Sequence, residues 1–333
     1  MSTTPASASA EVSTSDFRGP GSWWIILAVF LTLATLYSLI VPITQGEDEL
    51  AHYRYLSFIA QTGRLPQDYA ERQQAWYRAD WPPLYHLLVG WLISPLDTTQ
   101  PHLKDVGDSP RRRLVGEIFY PRLLIYTEDA LWPWQDGILA WHLGRFVSII
   151  FSAGALGFTY LTVLEMNRGV GEQGGRGDFS SPLPLRSPAP LLALAATALL
   201  AFTPRYLFTS AMLGDDSLFV LLSAVFIWLL LRVVRGEDRW WVYALMGLAL
   251  GLSIVTKYST GLLPLVIIPL ALRQVRQARW SWRHALGRVG LTWLFTALGA
   301  SWWFGWIGYY FNTIKDDGLI LACSNRCWPP APM

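Results

Sequence analysis

Residues 23–43 read WWIILAVFLTLATLYSLIVPI, a run without a charged side chain. An α-helix needs about 20 such residues to cross the hydrocarbon core of a bilayer, so this stretch predicts a membrane span. It is longer than the apolar core of a cleavable leader, no basic cluster precedes it and no small-residue cleavage site follows it. Outward from it, comparable runs fall at 146–164, 190–203, 212–231, 240–256, 258–272 and 289–307. Of the 333 residues, 52% are hydrophobic and 15% charged, against about 25% charged in a soluble domain. Eighteen Trp and 14 Tyr suit aromatic belts at the two bilayer interfaces. The expected fold is all-α, a polytopic transmembrane helical bundle of about seven spans.

Residues 81–96, WPPLYHLLVGWLISPL, are apolar but open with two prolines and contain Pro95. Charge asymmetry decides their place. If they do not span and the N-terminus is inside, the inside loops hold Arg168, Arg176 and Arg186, then Arg232, Arg235 and Arg239, then Arg273, Arg276, Arg279, Arg283 and Arg288. The short outside turns hold only Arg205 and Lys257, which is the positive-inside pattern. The stretch is therefore expected on the outer face, within a large, partly helical outer loop over about 44–141. The basic residues of that loop, Lys104, Arg111–Arg113 and Arg122 among them, do not oppose this, because long loops translocate largely regardless of charge. The expected location is the plasma (inner) membrane, with a cytoplasmic N-terminus and the active face outside.

Residues 1–20 are rich in Ser, Thr and Ala without an apolar period and read as a disordered tail. Residues 167–190 read as a flexible inside linker. Gly247 and Gly251 stand four apart and suit a close helix-packing face. The net charge of +2 and the lack of a basic-aromatic motif leave no case for nucleic acid. Cys323 and Cys327 define neither a disulfide framework nor a zinc site.

No Asp, Glu, Lys or Arg falls in the middle of an expected span, which counts against an ion-coupled transporter or a lipid-linked saccharide flippase. The ionisable residues gather at the outer ends instead. Glu47, Asp48 and Glu49 follow the first span, with His52 four residues beyond Asp48 on one helical face. Such carboxylates either cap a helix or serve as a general base toward an attacking hydroxyl. Asp215 and Asp216 either cap the next-but-two span or line the same cleft from the opposite side. Lys257, the only charge between two apolar runs, either snorkels to the interface or pairs with a phosphate. Arg145 and Arg205 carry the same pair of readings. Trp76 and Trp81 suit interface anchors, while Trp81 and Tyr85 also offer stacking surfaces for a sugar or lipid.

The order of these elements resembles a known family. A span precedes Glu47-Asp48-Glu49-Leu50-Ala51-His52-Tyr53, and a helix ends at Thr62-Gly63-Arg64-Leu65-Pro66. Next come Trp81-Pro82-Pro83-Leu84-Tyr85, Gly144-Arg145-Phe146-Val147-Ser148, Thr203-Pro204, Asp215-Asp216 and Thr256-Lys257. The series resembles the GT-C superfamily of polytopic glycosyltransferases, nearest the bacterial protein-mannosyltransferase-like and lipid A aminoarabinose-transferase-like branch, over roughly residues 20–321. The resemblance implies a polyprenyl-phosphate-linked sugar donor, a lipid, glycan or protein acceptor, contact with membrane lipids, and inverting transfer on the outer face. It implies an acidic residue of the first outer loop as base, which is Asp48 here, with Glu49 as the adjacent candidate. His52, Arg145, Lys257, Asp215, Asp216, Tyr85 and Trp81 are the expected substrate-binding residues. A divalent cation, magnesium or manganese, is compatible with the spacing and not demanded by it. Glu47 stands where the family often has Pro, which leaves the choice among the three carboxylates open. The stretch 322–333, ACSNRCWPPAPM, changes character abruptly, and the expectation is a family member cut short near Leu321.

Overall fold

A computed structural model describes residues 21–75, 77–98, 104–105, 124–125, 132–168 and 189–311. The expected tails at 1–20 and 322–333, Trp76, Arg111–Arg113, Arg122 and residues 169–188 of the expected linker lie outside the described residues. Apart from a two-residue antiparallel ladder pairing Lys104 with Ile125, the described structure is helical.

The chain runs through α1 (Gly21–Ile40), α2 (Glu49–Thr62), α3 (Tyr69–Ala75) and α4 (Leu84–Ile93). It continues with α5 (Asp136–Arg168), α6 (Ala189–Ala201), α7 (Pro204–Ala211) and α8 (Asp216–Val234). Then follow α9 (Trp240–Ile254), α10 (Ile267–Arg276) and α11 (Trp282–Tyr310). Among the described residues, four helical stretches are long and apolar enough to cross a membrane, or five if the bent pair α6–α7 is one span. The shortfall against seven has physical causes. Helix α9 has only 15 residues, about 22 Å at 1.5 Å per residue. Helix α11 is long, at 29 residues, but Trp, Gly and Tyr dilute its apolarity.

The bend of 63° between α6 and α7 sits at Thr203-Pro204. Pro at the first position of α7 lacks an N–H and disfavours helical geometry in the residue before it. Thr203 is accordingly extended, at φ −65° and ψ 121°. Helix α5 begins ten residues before the expected start of its span, because its polar first turns are covered by protein. Tyr53, Tyr85, Val89, Ile138 and Trp141 form one buried cluster there, so Arg145 and His142 sit in the helix without meeting lipid.

Helices α9 and α11 touch backbone to backbone. A methyl group on Gly247 would overlap the Thr292 carbonyl oxygen, and one on Gly251 the Thr296 carbonyl oxygen, so the expected glycine face is a packing face. Helix α4 is ten residues long, about 15 Å, half the thickness of a hydrocarbon core. Its Leu84 N–H donates to the Val255 carbonyl at the end of α9, 2.9 Å away. Thus the ends of α1, α2, α4, α8 and α9 meet on one side of the bundle, together with the start of α5.

Candidate functional site

The loop between α1 and α2 is held by a buried ion pair. Glu49, first residue of α2, and Arg145 of α5 are both fully buried. Arg145 Nε and Nη2 donate to the Glu49 carboxylate at 2.6 and 2.8 Å. Its remaining N–H groups go to the carbonyls of Ser38 and Val41, both 2.7 Å away, and Pro42, at 2.9 Å. A guanidinium has five N–H donors, and these five bonds use them all. Ser38 belongs to the last turn of α1, where carbonyls lack helical partners and a cation is favourable. Glu49 also accepts from the backbone N–H groups of Thr44 (3.0 Å), Gly46 (3.2 Å) and Leu213 (3.0 Å). The pair therefore joins the end of α1, the start of α2 and the turn before α8.

The loop between α1 and α2 holds two strained residues. Thr44 has φ 73° and Asp48 φ 57°, a region costing an ordinary residue roughly 1–2 kcal/mol. Asp48 is exposed and stands at the N-cap of α2, yet its side chain makes no capping hydrogen bond. Glu47, also exposed, pairs with Arg205 at 2.5 Å on the open surface.

Behind Asp48 lies a buried imidazole pair. His52 Nδ1 and His86 Nε2 are 2.9 Å apart, the rings stack at 5.1 Å, and both residues are buried. His52 Nε2 stands 3.9 Å from the carboxylate of Asp215, which is 2% exposed. One nitrogen of the short contact must donate and the other accept, so the two rings are not both protonated on the facing atoms. His86 was missed from the sequence, although it directly follows Tyr85 in the quoted motif and is the second histidine of the outer loop.

Asp216 and Lys257 form an ion pair at the open face, with side chains 47% and 27% exposed. Lys257 also lies 5.9 Å from the Phe219 ring. Among the described residues this is the only hydrogen bond of the Lys257 ammonium, which has three N–H groups. Tyr85 is fully buried and bonds Ser148 Oγ at 2.8 Å, so it fastens α4 to α5 and offers no surface for stacking. Trp81 is half-buried. Among the described residues no group of three or more His, Cys, Asp or Glu could hold a metal ion.

The model of the dolichyl-phosphate-mannose-protein mannosyltransferase family matches residues 189–303, about a third of the chain. The match takes in Arg205, Asp215, Asp216 and Lys257, while Asp48, Glu49, His52, Trp81, Tyr85 and Arg145 lie outside it. No curated protein matches the chain, and neither does any solved structure. The family match over this part of the chain and the apolar helical architecture together support a GT-C-like membrane glycosyltransferase.

Proposed function

We propose that the chain transfers a sugar from a polyprenyl-phosphate donor to a hydroxyl of a lipid, glycan or protein acceptor, with inversion, at the end of the bundle where Asp48, Asp216 and Lys257 gather. In this reading the acceptor oxygen attacks the anomeric carbon and its proton passes to Asp48. The bond from that carbon to the phosphate oxygen breaks, and polyprenyl phosphate leaves with the electron pair. A carboxylate is suited to the first task because the hydroxyl becomes acidic only as it attacks. Lys257 is suited to the last, because two of its N–H groups are free to meet the charge that develops on the leaving phosphate, while Asp216 orients its ammonium.

The observation that carries the reading is the contrast at residues 48 and 49. Glu49 is buried and fully occupied by Arg145 and backbone N–H groups, whereas Asp48 is exposed, strained and does not cap its helix. Strain of this kind concentrates where geometry serves function. Arg145, with every donor in use, is assigned here to positioning the loop, and phosphate binding falls to Lys257. Of Trp81 and Tyr85, Trp81 is the one with surface left to face a sugar ring. We place this end outside the inner membrane because Arg232, Arg235, Arg239, Arg273, Arg276, Arg279, Arg283 and Arg288 lie at the opposite end of the helices.

The test is transfer from a radiolabelled polyprenyl-phosphate sugar in membranes containing the native chain or Asp48→Asn. Asn tolerates the left-handed backbone that residue 48 adopts, so the substitution removes the charge and leaves the turn. Transfer by the native chain and its loss in the variant support the proposal. Equal transfer by both removes Asp48 as the base.

A further inference from the structure

At the end of the bundle opposite the candidate site, a cleft of about 430 Å³ opens between α8, α10 and the start of α11. Val233, Gly236, Asp238, Gln274, Arg279, Trp280, Ser281 and His284 line it. The one carboxylate in the wall is already matched. Asp238 accepts from Arg288 Nε at 2.9 Å and lies 2.9 Å from His284 Nε2, and its backbone carbonyl accepts from Arg288 Nη2 at 2.6 Å.

The remaining polar groups present donors. The buried face of α10 runs Ile267, Leu270, Ala271 and Gln274, a helical stripe that ends on an amide where an apolar side chain would pack better. Gln274 is 4% exposed, lines the cleft, and its side chain has no hydrogen-bond partner among the described residues. Arg279 is exposed on the cleft wall, and its guanidinium pairs with no carboxylate among the described residues. Ser281 caps the 29-residue α11, and its Oγ accepts the His284 N–H at 3.2 Å. The Trp282 and Arg283 N–H groups at that helix start are the orphan donors every helix leaves. Guanidinium, amide and, through Ser281 and His284, the positive end of a long helix dipole border one opening.

We propose that this cleft binds a phosphate group, Arg279 supplying charge, Gln274 a buried amide donor and the start of α11 backbone N–H groups. The ligand chemistry is a phosphate ester or free phosphate, and its two sources are an anionic phospholipid headgroup of the adjoining leaflet and phosphate from solution. Basic pockets between membrane helices suit the first source.

Thermal unfolding of the purified full chain in detergent tests this, titrated separately with phosphatidylglycerol, phosphatidylcholine and inorganic phosphate. Arg279→Ala changes an exposed side chain, and Gln274→Leu extends the apolar stripe of α10, so both variants are expected to fold. If the lipid is the source, phosphatidylglycerol raises the midpoint saturably and phosphatidylcholine much less. Each variant then needs about tenfold more lipid for the same rise, the effect of losing one hydrogen bond to a charged group. If free phosphate is the source, inorganic phosphate alone gives the rise with the same dependence on both variants. No saturable rise with either, or variants that titrate as the native chain does, overturns the proposal. Because the readout is stability, it stands or falls independently of sugar transfer.

Discussion

Two adjacent regions of the same loop use their charges in opposite ways. The Glu49–Arg145 pair is fully buried, with all five guanidinium donors bonded. One residue before Glu49, Asp48 is exposed and its side chain makes no capping hydrogen bond, and Lys257 shares a half-open surface with Asp216. The first arrangement holds the ends of α1 and α2 against the start of α8 and keeps Asp48 in its left-handed conformation. The second leaves donors and acceptors facing outward. Proximity in sequence therefore does not separate a structural carboxylate from a chemical one; burial and backbone geometry do.

The sharpest way to break this comparison is Arg145→Ala. Removing one partner of a buried pair leaves an uncompensated charge, and the expected loss of stability is about 3–5 kcal/mol. Denaturant unfolding in detergent measures it, and a change under 1 kcal/mol would mean that water reaches Glu49. Next in size is Lys257→Gln, expected to lower kcat about 100-fold, the scale of losing one electrostatic stabiliser. Its unfolding midpoint should hardly move, because pairs this exposed contribute about 0–1 kcal/mol. Steady-state transfer assays and a melting curve on one preparation separate the two effects. Asp48→Gly is expected to separate activity from stability in the same way. Relief of the left-handed strain offsets the added freedom of the unfolded chain, so stability stays within about 1 kcal/mol of native while transfer disappears.

The smallest effect lies in the outer loop away from both regions. The Arg64 hydrogen bond, with help from the Gln67 N–H, holds the Glu71 carboxyl at about 2, down from 4.5. A lowered folded value means that the contribution is present above about pH 4.5 and is lost as pH falls toward 2. Arg64 is 39% exposed, so solvent screens the pair and the loss is slight. Protection of the Gln67 amide, taken relative to its intrinsic exchange rate, should fall as pH drops from 4.5 toward 2 in the native chain and show no such pH dependence in Glu71→Gln.

Much of the helical architecture was legible in the sequence because lipid imposes a simple rule: long uncharged runs become spans. The rule failed where protein replaces lipid. The first ten residues of α5 look too polar for a membrane helix, yet α2 and α4 cover them. At 258–272 the expected run is among the four long apolar stretches, although Pro264 and the sequence around it give short 3-10 turns at Tyr258–Thr260 and Leu263–Val266 before α10. At the candidate site, the grouping of carboxylates at one end was legible from their places beside spans. The Glu49–Arg145 pairing was not, since 96 residues separate its members and only tertiary packing brings them together. One signal was available: an arginine in an otherwise apolar helix needs an internal partner. Tyr85 read as a stacking surface because its neighbours are apolar. Which face of α4 meets α5 depends on where α5 begins, and hydropathy did not give that.

The most direct measurement compares Asp48→Asn with Glu49→Gln on the same purified protein, scoring initial transfer rate and unfolding midpoint together. The account predicts that Asp48→Asn abolishes transfer and leaves the midpoint unchanged, while Glu49→Gln lowers the midpoint and leaves the remaining folded protein competent. The reverse pattern, with transfer surviving at Asp48→Asn and vanishing at a stable Glu49→Gln, would contradict it and move the chemistry to the buried carboxylate.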